Sequence, residues 1–474
     1  MTSFKPVAAL LALACVVPPS IAGAADEVAN LHAELQTLKN EYAARVGALE
    51  ARIEQLESAA RTAWASTTPT IAAPGAMPAA SQPPAAAGSS RSAASSYNPA
   101  ISLIFAGNYT DVSQDPENWR IAGFMPSGGE VGPGERSFNL GESELVLSAN
   151  VDPYFSAMMI AAVTGEDEIE VEEAYFRTLA LPSGLTAKGG RFFSGLGYLN
   201  DVHAHFWDFV DQPLVYQAFF GNQLAQDGLQ LKWIAPTDLF VEIGAETGNG
   251  QAFPGTRRDR NGLNGETLFA HVGGDLGESM SWRVGASWLE LRAEDRAFED
   301  VNELNEPVVN SFTGKSRTWG VDAVLKWTPY GNVTRQQLKV QGEYLRRRED
   351  GELTFDLDGL GLSDAYRSEQ SGWYLQSVFQ FRPRWRVGMR YDSLDSGSPR
   401  IALVDDSGLP PEAFPALLGA DPDRITMMLD WSPSEFSRLR AQYAWDDARD
   451  EGRRDRQFRL QYIYSIGAHG AHKF

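Results

Sequence analysis

Apolar and polar side chains alternate in segments of about ten residues through most of the chain, from residue 98 onwards. The last of these segments, QFRLQYIYSIGAHGAHKF, places Phe458, Leu460 and Tyr462 on one face and Arg459 and Gln461 on the other. Successive side chains of a strand point to opposite faces, so this period predicts β-strands. After residue 24 no apolar stretch approaches about 18 residues, the length that a membrane-spanning helix needs.

In lipid, every backbone polar group must be bonded internally, which only helices and closed barrels achieve. Segments of alternating character with Trp and Tyr near their ends are typical of transmembrane strands. We therefore predict an all-β protein, a transmembrane antiparallel β-barrel over residues 98–474. The alternative is a soluble β-sandwich, whose strands also alternate.

Short connections rich in Pro, Gly, Asp and Ser separate the strands in turn with long polar ones. The short ones are 150–155, 181–185, 235–238, 274–278, 328–332, 382–384 and 432–435. The long ones are about 110–137, 165–168, 195–226, 247–264, 294–315, 349–368, 395–421 and 448–455. Seven short and eight long connections predict about 16 strands, the even count and loop asymmetry of bacterial outer-membrane barrels.

The first 24 residues contain Lys5, an apolar run and Ala22-Gly23-Ala24, which together predict a secretory signal peptide. The single cysteine, Cys15, lies within it, so the mature chain is expected to form no disulfide. Lipidation of Cys15 is the alternative, although the preceding residues make a poor lipobox.

Residues 25–61 carry an apolar heptad repeat that predicts a periplasmic α-helical coiled coil. A single amphipathic helix lying against the next domain is the alternative. The apolar positions of the repeat are Val28, Leu31, Leu35, Leu38, Tyr42, Leu49 and Leu56. Residues 62–97 are rich in Ala, Pro and Ser and are predicted to form a linker.

Sixteen strands enclose a lumen wide enough for an aqueous channel. Eight basic residues on the polar faces are predicted to line it: Lys232, Arg283, Lys326, Lys339, Arg386, Arg390, Arg440 and Arg459. The four arginines from the last strands would form a ladder that favours anions. Alternatively they pair with acidic residues and brace the wall; the candidate partners are Glu144, Glu343, Asp392, Asp430 and Asp446. The net charge of −21, concentrated in the long loops, would oppose anions at long range.

The third long connection, 195–226, is aromatic rather than acidic, so we expect it to fold inward and constrict the lumen. Its chemistry-bearing residues are Asp201, His203, His205, Asp208 and Asp211. Imidazole and carboxylate groups of this kind are ligands for zinc. A role in packing or hydrogen bonding is the alternative. No cofactor is expected; zinc bound by these residues is the alternative.

Familiar hydrolase, phosphate-loop and metalloprotease motifs are absent from the sequence, and we expect no enzymatic activity. A signal peptide, a coiled coil, a Pro/Ala linker and a barrel that ends in Phe474 together resemble the DcaP-like porins and the phosphate-selective porin O and P families. The stretches SFNLGESELVLSANVDPYF and GGRFFSGLGYLNDVHAHFWDFVD also resemble proteins labelled zinc-regulated or TonB-dependent outer-membrane receptors. That label implies a plug domain and about 22 strands, for which this chain has no room.

The porin resemblance implies a homotrimer in the outer membrane of a Gram-negative bacterium, with the N-terminal region in the periplasm. It also implies that the barrel-assembly machinery reads the terminal strand, through Tyr462, Tyr464 and Phe474. The other expected partners are outer-membrane lipid and lipopolysaccharide; no nucleic-acid partner is expected. The expected function is passive diffusion of small hydrophilic, including anionic, solutes. A receptor or transporter for a ligand such as zinc, or an envelope tether, are the alternatives.

Overall fold

The computed structural model describes residues 99–467 except 129–130, 164–167, 257–258, 260, 303–305 and 450–451. The predicted signal peptide, coiled coil and linker, and Phe474, lie outside the described residues. The strands of the described part are β1 (Ala100–Val112), β2 (Ser137–Leu140), β3 (Ser143–Asn150), β4 (Phe155–Val163), β5 (Ile169–Thr178), β6 (Leu185–Phe193), β7 (Ala225–Ile234), β8 (Phe240–Gly248), β9 (Gly265–Leu276), β10 (Met280–Val301), β11 (Pro307–Trp327), β12 (Gln337–Phe355), β13 (Leu362–Arg382), β14 (Trp385–Asp395), β15 (Arg400–Ile401), β16 (Asp423–Ser434), β17 (Ser437–Asp447) and β18 (Asp455–Gly467). The described residues also form two short α-helices, α1 (Leu214–Phe220) and α2 (Ala402–Asp405). No helix among the described residues is long and apolar enough to cross a membrane.

Sixteen of these strands close into an antiparallel barrel, which confirms the predicted fold class and strand count. The barrel closes at β1, where Ile104 lies opposite Ser465 of β18 and Leu103 lies opposite Leu145 of β3. The other barrel strands pair with the strands that precede and follow them in the circuit. The short strands β2 and β15 extend the pairing of β1 and β13 at one end. All seven predicted short turns lie between paired strands.

The outer face of the barrel is an apolar band bordered by aromatic rings. On β11, Trp319 and Trp327 point outward at the two ends of a nine-residue span, with Val321, Ala323 and Leu325 between them. A span of 9–11 residues is what a tilted strand needs to cross a bilayer. On β18 the even positions, such as Leu460, Tyr462 and Tyr464, are outward and the odd positions are buried, as the sequence predicts.

The four strands β10–β13 are much longer than a bilayer requires. β10 has 22 residues, which at about 3.3 Å per residue is roughly 70 Å of strand. From Trp319 onwards the outward face becomes charged: Arg346 of β12 lies opposite Trp319, and Lys315 and Arg317 on β11 and Arg348 on β12 lie beyond it. The predicted long loops 294–315 and 349–368 are therefore wrong, since strands fill most of both stretches and the connections are only 302–306 and 356–361.

The reason for this error is an inversion of the strand pattern above the membrane. There the inward side chains are apolar, for example Phe312 and Leu353, and the outward ones are charged. Phe312 and Leu353 join residues 401–417 in an apolar cluster inside the upper barrel. A second cluster surrounds α1 lower in the lumen and includes Leu196, Phe219 and Leu345. The lumen of the described barrel is therefore partly filled by protein.

Candidate functional site: the inner loop and the lumen wall

The connection between β6 and β7, residues 194–224, folds into the barrel; we call it the inner loop. It contains α1, all seven residues of which are buried. The helix ends where Gly221 adopts a left-handed conformation, with φ of +62°, and its N–H bonds back to the last turn. The apolar and aromatic residues of this connection predict that it folds inward. The structure places those side chains in the lumen.

Asn200 ties the two ends of the inner loop together. Its amide group donates to the carbonyl oxygens of Ser194 (2.8 Å) and Leu224 (3.0 Å), and its carbonyl accepts from the N–H of Leu224 (2.7 Å). The residue is fully buried. Because these bonds satisfy backbone groups that water cannot reach, Asn200 fixes where the loop leaves and rejoins the wall.

Glu343 of β12 holds the loop from the opposite wall. Its carboxylate accepts the N–H groups of Tyr198 (3.0 Å) and Leu199 (3.1 Å) and the hydroxyl of Tyr216 (2.8 Å) on α1. A fourth donor, the hydroxyl of Tyr374, comes from β13 (2.7 Å). One inward carboxylate therefore anchors both the start of the loop and its helix.

Asp208 and Asp211 place two carboxylates of the loop against the basic wall. Asp208 contacts Lys339 and Arg386, each at 2.9 Å. Asp211 contacts Arg390 at 2.8 Å, and also Arg424 (3.1 Å) and Arg459 (3.3 Å). Burial by itself would raise the pKa of Asp211, but Arg424 and Arg459 outweigh it and hold that pKa well below its usual range.

His203 and His205 lie on the other side of the loop, against carboxylates of β3 and β5. Nε2 of His203 donates to Glu173 (3.0 Å), and its Nδ1 lies 3.3 Å from Oε2 of Glu172. Nδ1 of His205 lies 2.6 Å from Oε1 of Glu144. Burial would lower the pKa of His203, but the contacts with Glu172 and Glu173 outweigh it and raise that pKa to about 10.

The structure therefore separates the five loop residues that the sequence groups as candidate metal ligands. His203 and His205 contact glutamates of the wall, whereas Asp208 and Asp211 contact lysine and arginines. Asp201, the fifth, is not among the residues that could jointly hold a metal ion in the described part of the chain. The five cannot act as one ligand set because two of the carboxylates, those of Asp208 and Asp211, are paired with basic residues of the wall.

All eight basic residues predicted to line the pore occupy inward positions of their strands. Most are paired: Lys232 contacts Glu242 at 2.9 Å, and Arg283 lies 3.8 Å from Asp322. Arg390 and Arg440 are each only 1% exposed, beneath the inner loop. Arg440 donates to the carbonyl of Trp207 at 2.5 Å. Of the partners expected for bracing, Asp430 contacts Arg386 and Asp392 contacts Arg390.

Sequence reasoning missed several residues of the lumen, among them Arg424, Arg438, Glu172 and Glu173. The two arginines sit at inward positions that the strand period makes available, one residue before the outward-facing Ile425 and Leu439. Glu172 and Glu173 are adjacent in sequence, which breaks the alternation, and the pairing of β4 with β5 skips Glu172. Two consecutive acids within an alternating segment are the sequence feature that could have revealed this bulge.

Two cavities flank the inner loop beside the wall formed by β1, β17 and β18. One, of about 270 Å³, is lined by Asn108, Asp211 and Arg459 among others. The second, of about 240 Å³, reaches the short turn after β16 and is lined by Arg386 and Arg438. His205 and Ile463 line both cavities, so these two side chains separate them.

Comparison with solved structures finds outer-membrane barrels with low sequence identity. A loop-deletion mutant of OmpT, an outer membrane protein of Vibrio cholerae, is 11% identical with a TM-score of 0.48, covering 78% of this chain and 99% of that one. OprB of Pseudomonas putida is 14% identical with a TM-score of 0.47, covering 78% and 94%. The outer membrane channel DcaP of Acinetobacter baumannii is 11% identical with a TM-score of 0.45, covering 77% and 96%.

Comparison with curated sequences finds a relative of much higher identity. No profile of a known protein family matches the chain. A protein of Aquifex aeolicus (strain VF5), described as an uncharacterized protein, is 31% identical over 355 residues, which cover 72% of this chain and 71% of that protein. The chain belongs to the same protein family as this Aquifex aeolicus protein.

Proposed function

We propose that the protein is a porin of the Gram-negative outer membrane, through which small hydrophilic solutes diffuse. The observation that carries the proposal is a closed sixteen-strand barrel whose inner loop leaves two cavities lined by charged residues beside β1, β17 and β18, with His205 and Ile463 between them; we call these two cavities the gap. An apolar outer band and a charged interior are the design of water-filled bacterial barrels. Passive diffusion requires no catalytic group, and the inner loop acts as the constriction.

The finer proposal is a preference for anions. Arg459 and Arg386 line the cavities on either side of His205, and Arg438 lines the second cavity. Arg438 donates to the carbonyl of His205 and has no salt bridge with a carboxylate within the described residues. Arg390 and Arg440, by contrast, are sealed beneath the loop. The arginines of the gap, rather than the full predicted ladder, are therefore the ones that meet a passing solute.

The assembly and surroundings are part of the same proposal. We take the protein to be a homotrimer embedded in lipid and lipopolysaccharide, inserted by the barrel-assembly machinery, with residues 25–97 in the periplasm. The support for these points is the sequence resemblance to DcaP-like porins together with the outward aromatic residues of the terminal strand β18.

The first test is conductance of the refolded full chain in a planar bilayer under a salt gradient. Stepwise openings in groups of three support a trimeric porin, and a reversal potential of the anionic sign supports the arginine-lined gap. The double variant Arg438→Gln/Arg459→Gln is expected to reduce the permeability ratio of anions to cations at least twofold. Arg346→Gln is the matched control, because Arg346 points outward at the level of Trp319, away from the lumen, and should leave the ratio unchanged.

A folded barrel that stays electrically silent would contradict the open-channel proposal. The alternative that this result would favour is a ligand-specific receptor, and one observation points that way: two apolar clusters and the inner loop fill part of the lumen. Folding is checked independently by the heat-dependent shift of the barrel on a denaturing gel. A folded barrel that neither conducts ions nor binds a solute would favour the remaining alternative, an envelope tether.

A further inference from the structure

Three buried ligand atoms face one another where the inner loop meets the wall, and the most deeply buried of them, on Glu144, has no hydrogen-bond partner among the described residues. They are Oε2 of Glu144 on β3, Oε2 of Glu172 on β5 and Nδ1 of His203 on the loop. All three lie within 4.8 Å of one another. Glu144 is fully buried. Orphaned polar atoms in such a position normally have a partner, such as water or an ion.

From this geometry we infer that Glu144, Glu172 and His203 hold a divalent transition-metal ion, with zinc as the reference case. One imidazole nitrogen and two carboxylate oxygens form a ligand set that such ions accept. Ligand atoms on one zinc ion lie about 3.3 Å apart, since each bond is about 2.0–2.2 Å. The 3.3 Å between His203 and Glu172 already meets this spacing, and the 3.9 Å between His203 and Glu144 closes with a shift of under about 1 Å.

The surroundings of the three ligands have the arrangement that metal sites use. Nε2 of His203 donates to Glu173, which orients the ring so that Nδ1 faces Glu144 and Glu172. The second oxygen of Glu144 is held by Nδ1 of His205. A bound metal ion takes the place of the proton on Nδ1 of His203.

The local backbone explains how two consecutive glutamates reach one histidine. In a regular strand Glu172 and Glu173 would point to opposite faces. The register of β4 with β5 shifts between Ile160 and Ala161, so Glu172 is left without a partner residue on β4. A bulge of this kind re-aims a side chain, and here it brings both carboxylates to His203.

Charge also favours a cation at this position. Glu142 is in side-chain contact with Glu172, so four carboxylates meet here: Glu142, Glu144, Glu172 and Glu173. The positive groups that oppose them are His203, His205 and, near Glu173, Lys188. Four carboxylates and three basic groups in one buried cluster are surroundings that suit a cation, and a divalent ion bound there joins the inner loop to β3 and β5.

The metal site does not depend on the proposed channel function, and its test is binding. The refolded full chain in detergent is stripped with EDTA, freed of the chelator and titrated with Zn²⁺ by calorimetry; one ion per chain is expected. Glu172→Gln should weaken binding at least 100-fold, and Glu173→Gln, which only orients His203, by about 10–100-fold. Cobalt bound in place of zinc should give visible absorption that Glu172→Gln abolishes.

A control variant addresses the other histidines of the chain. His469→Asn/His472→Asn changes two histidines of the C-terminal segment, which lie outside the described residues, and should leave zinc binding unchanged. His203→Asn is a second variant that should lose zinc binding. Its zinc affinity is measured on protein that the gel shift shows to be folded. Failure of the folded wild type to bind Zn²⁺, or equal affinity in the wild type and Glu172→Gln, would overturn the site.

Discussion

At the scale of single residues, the lumen is organised by carboxylates that each satisfy several buried donors. Asp211 compensates three guanidinium groups, and Glu343 accepts four hydrogen bonds. Buried charges are tolerated only when they are paired and hydrogen-bonded. The basic residues of the wall therefore do not form an unopposed ladder, because the inner loop brings Asp208 and Asp211 to them.

Asp211→Asn is expected to destabilise the barrel by about 3–5 kcal/mol, since it removes the carboxylate paired with Arg459 and one of the carboxylates that compensate the buried charges of Arg390 and Arg424. The measurement is the temperature of the gel shift, or the urea midpoint of unfolding in lipid vesicles. Asp406→Asn is the matched control, because the Arg400–Asp406 pair is exposed and should contribute nothing measurable. An unchanged midpoint in Asp211→Asn would show that water or rearrangement compensates these arginines.

At the scale of elements, the inner loop is held against the barrel wall at several separate points. Asn200 closes its ends, Glu343 holds its start and its helix, and two aspartates fasten its middle to the opposite wall. The helix α1 has seven residues and would be marginal alone in water, so its burial in the lumen stabilises it.

Tyr216→Phe is expected to loosen this loop without affecting the wall. The change removes one donor to Glu343 from α1, so brief openings to a larger conductance should become more frequent in single-channel records. Tyr374→Phe is the control, because it removes a donor to the same carboxylate from β13 and not from the loop. If both variants gave the same conductance fluctuations, Glu343 would be bracing the wall and not the loop.

At the scale of the whole molecule, the position of the membrane follows from where the outward faces change character. The span between Trp319 and Trp327 is apolar, and the charged outward face of β10–β13 begins at Trp319. The long hairpins therefore rise above the bilayer and enclose an apolar cluster of their own.

Two alanine substitutions test this placement. Ala323 lies midway between Trp319 and Trp327 on the outer face, and Ala297 of β10 points outward far above them. Ala323→Arg should reduce the free energy of unfolding in vesicles by about 2–4 kcal/mol, and Ala297→Arg by less than about 1 kcal/mol. Equal costs would mean that the bilayer does not lie between the two tryptophans.

Strands β11 and β12 show which parts of the fold follow from the sequence pattern and which do not. The two-residue period marked Trp319, Val321 and Leu325 as one face, and the turn residues located all seven short connections, so strand number and class followed. The ends of the long strands did not follow, because the faces exchange character at the membrane surface and Arg346 and Arg348 resemble loop residues. Predictions for residues 1–98 remain predictions, as those residues lie outside the described part.

The sequence by itself determined the alternation, the number of strands and the identity of the inward basic residues, because all three depend on spacing along one strand. Only the tertiary structure decided which charges meet. Asp211 and Arg459 are 248 positions apart, and Glu144 and His203 are brought together by barrel closure and the inward loop. Charge compensation depends on distances across the lumen, and these do not exist until the barrel closes and the loop folds inside it.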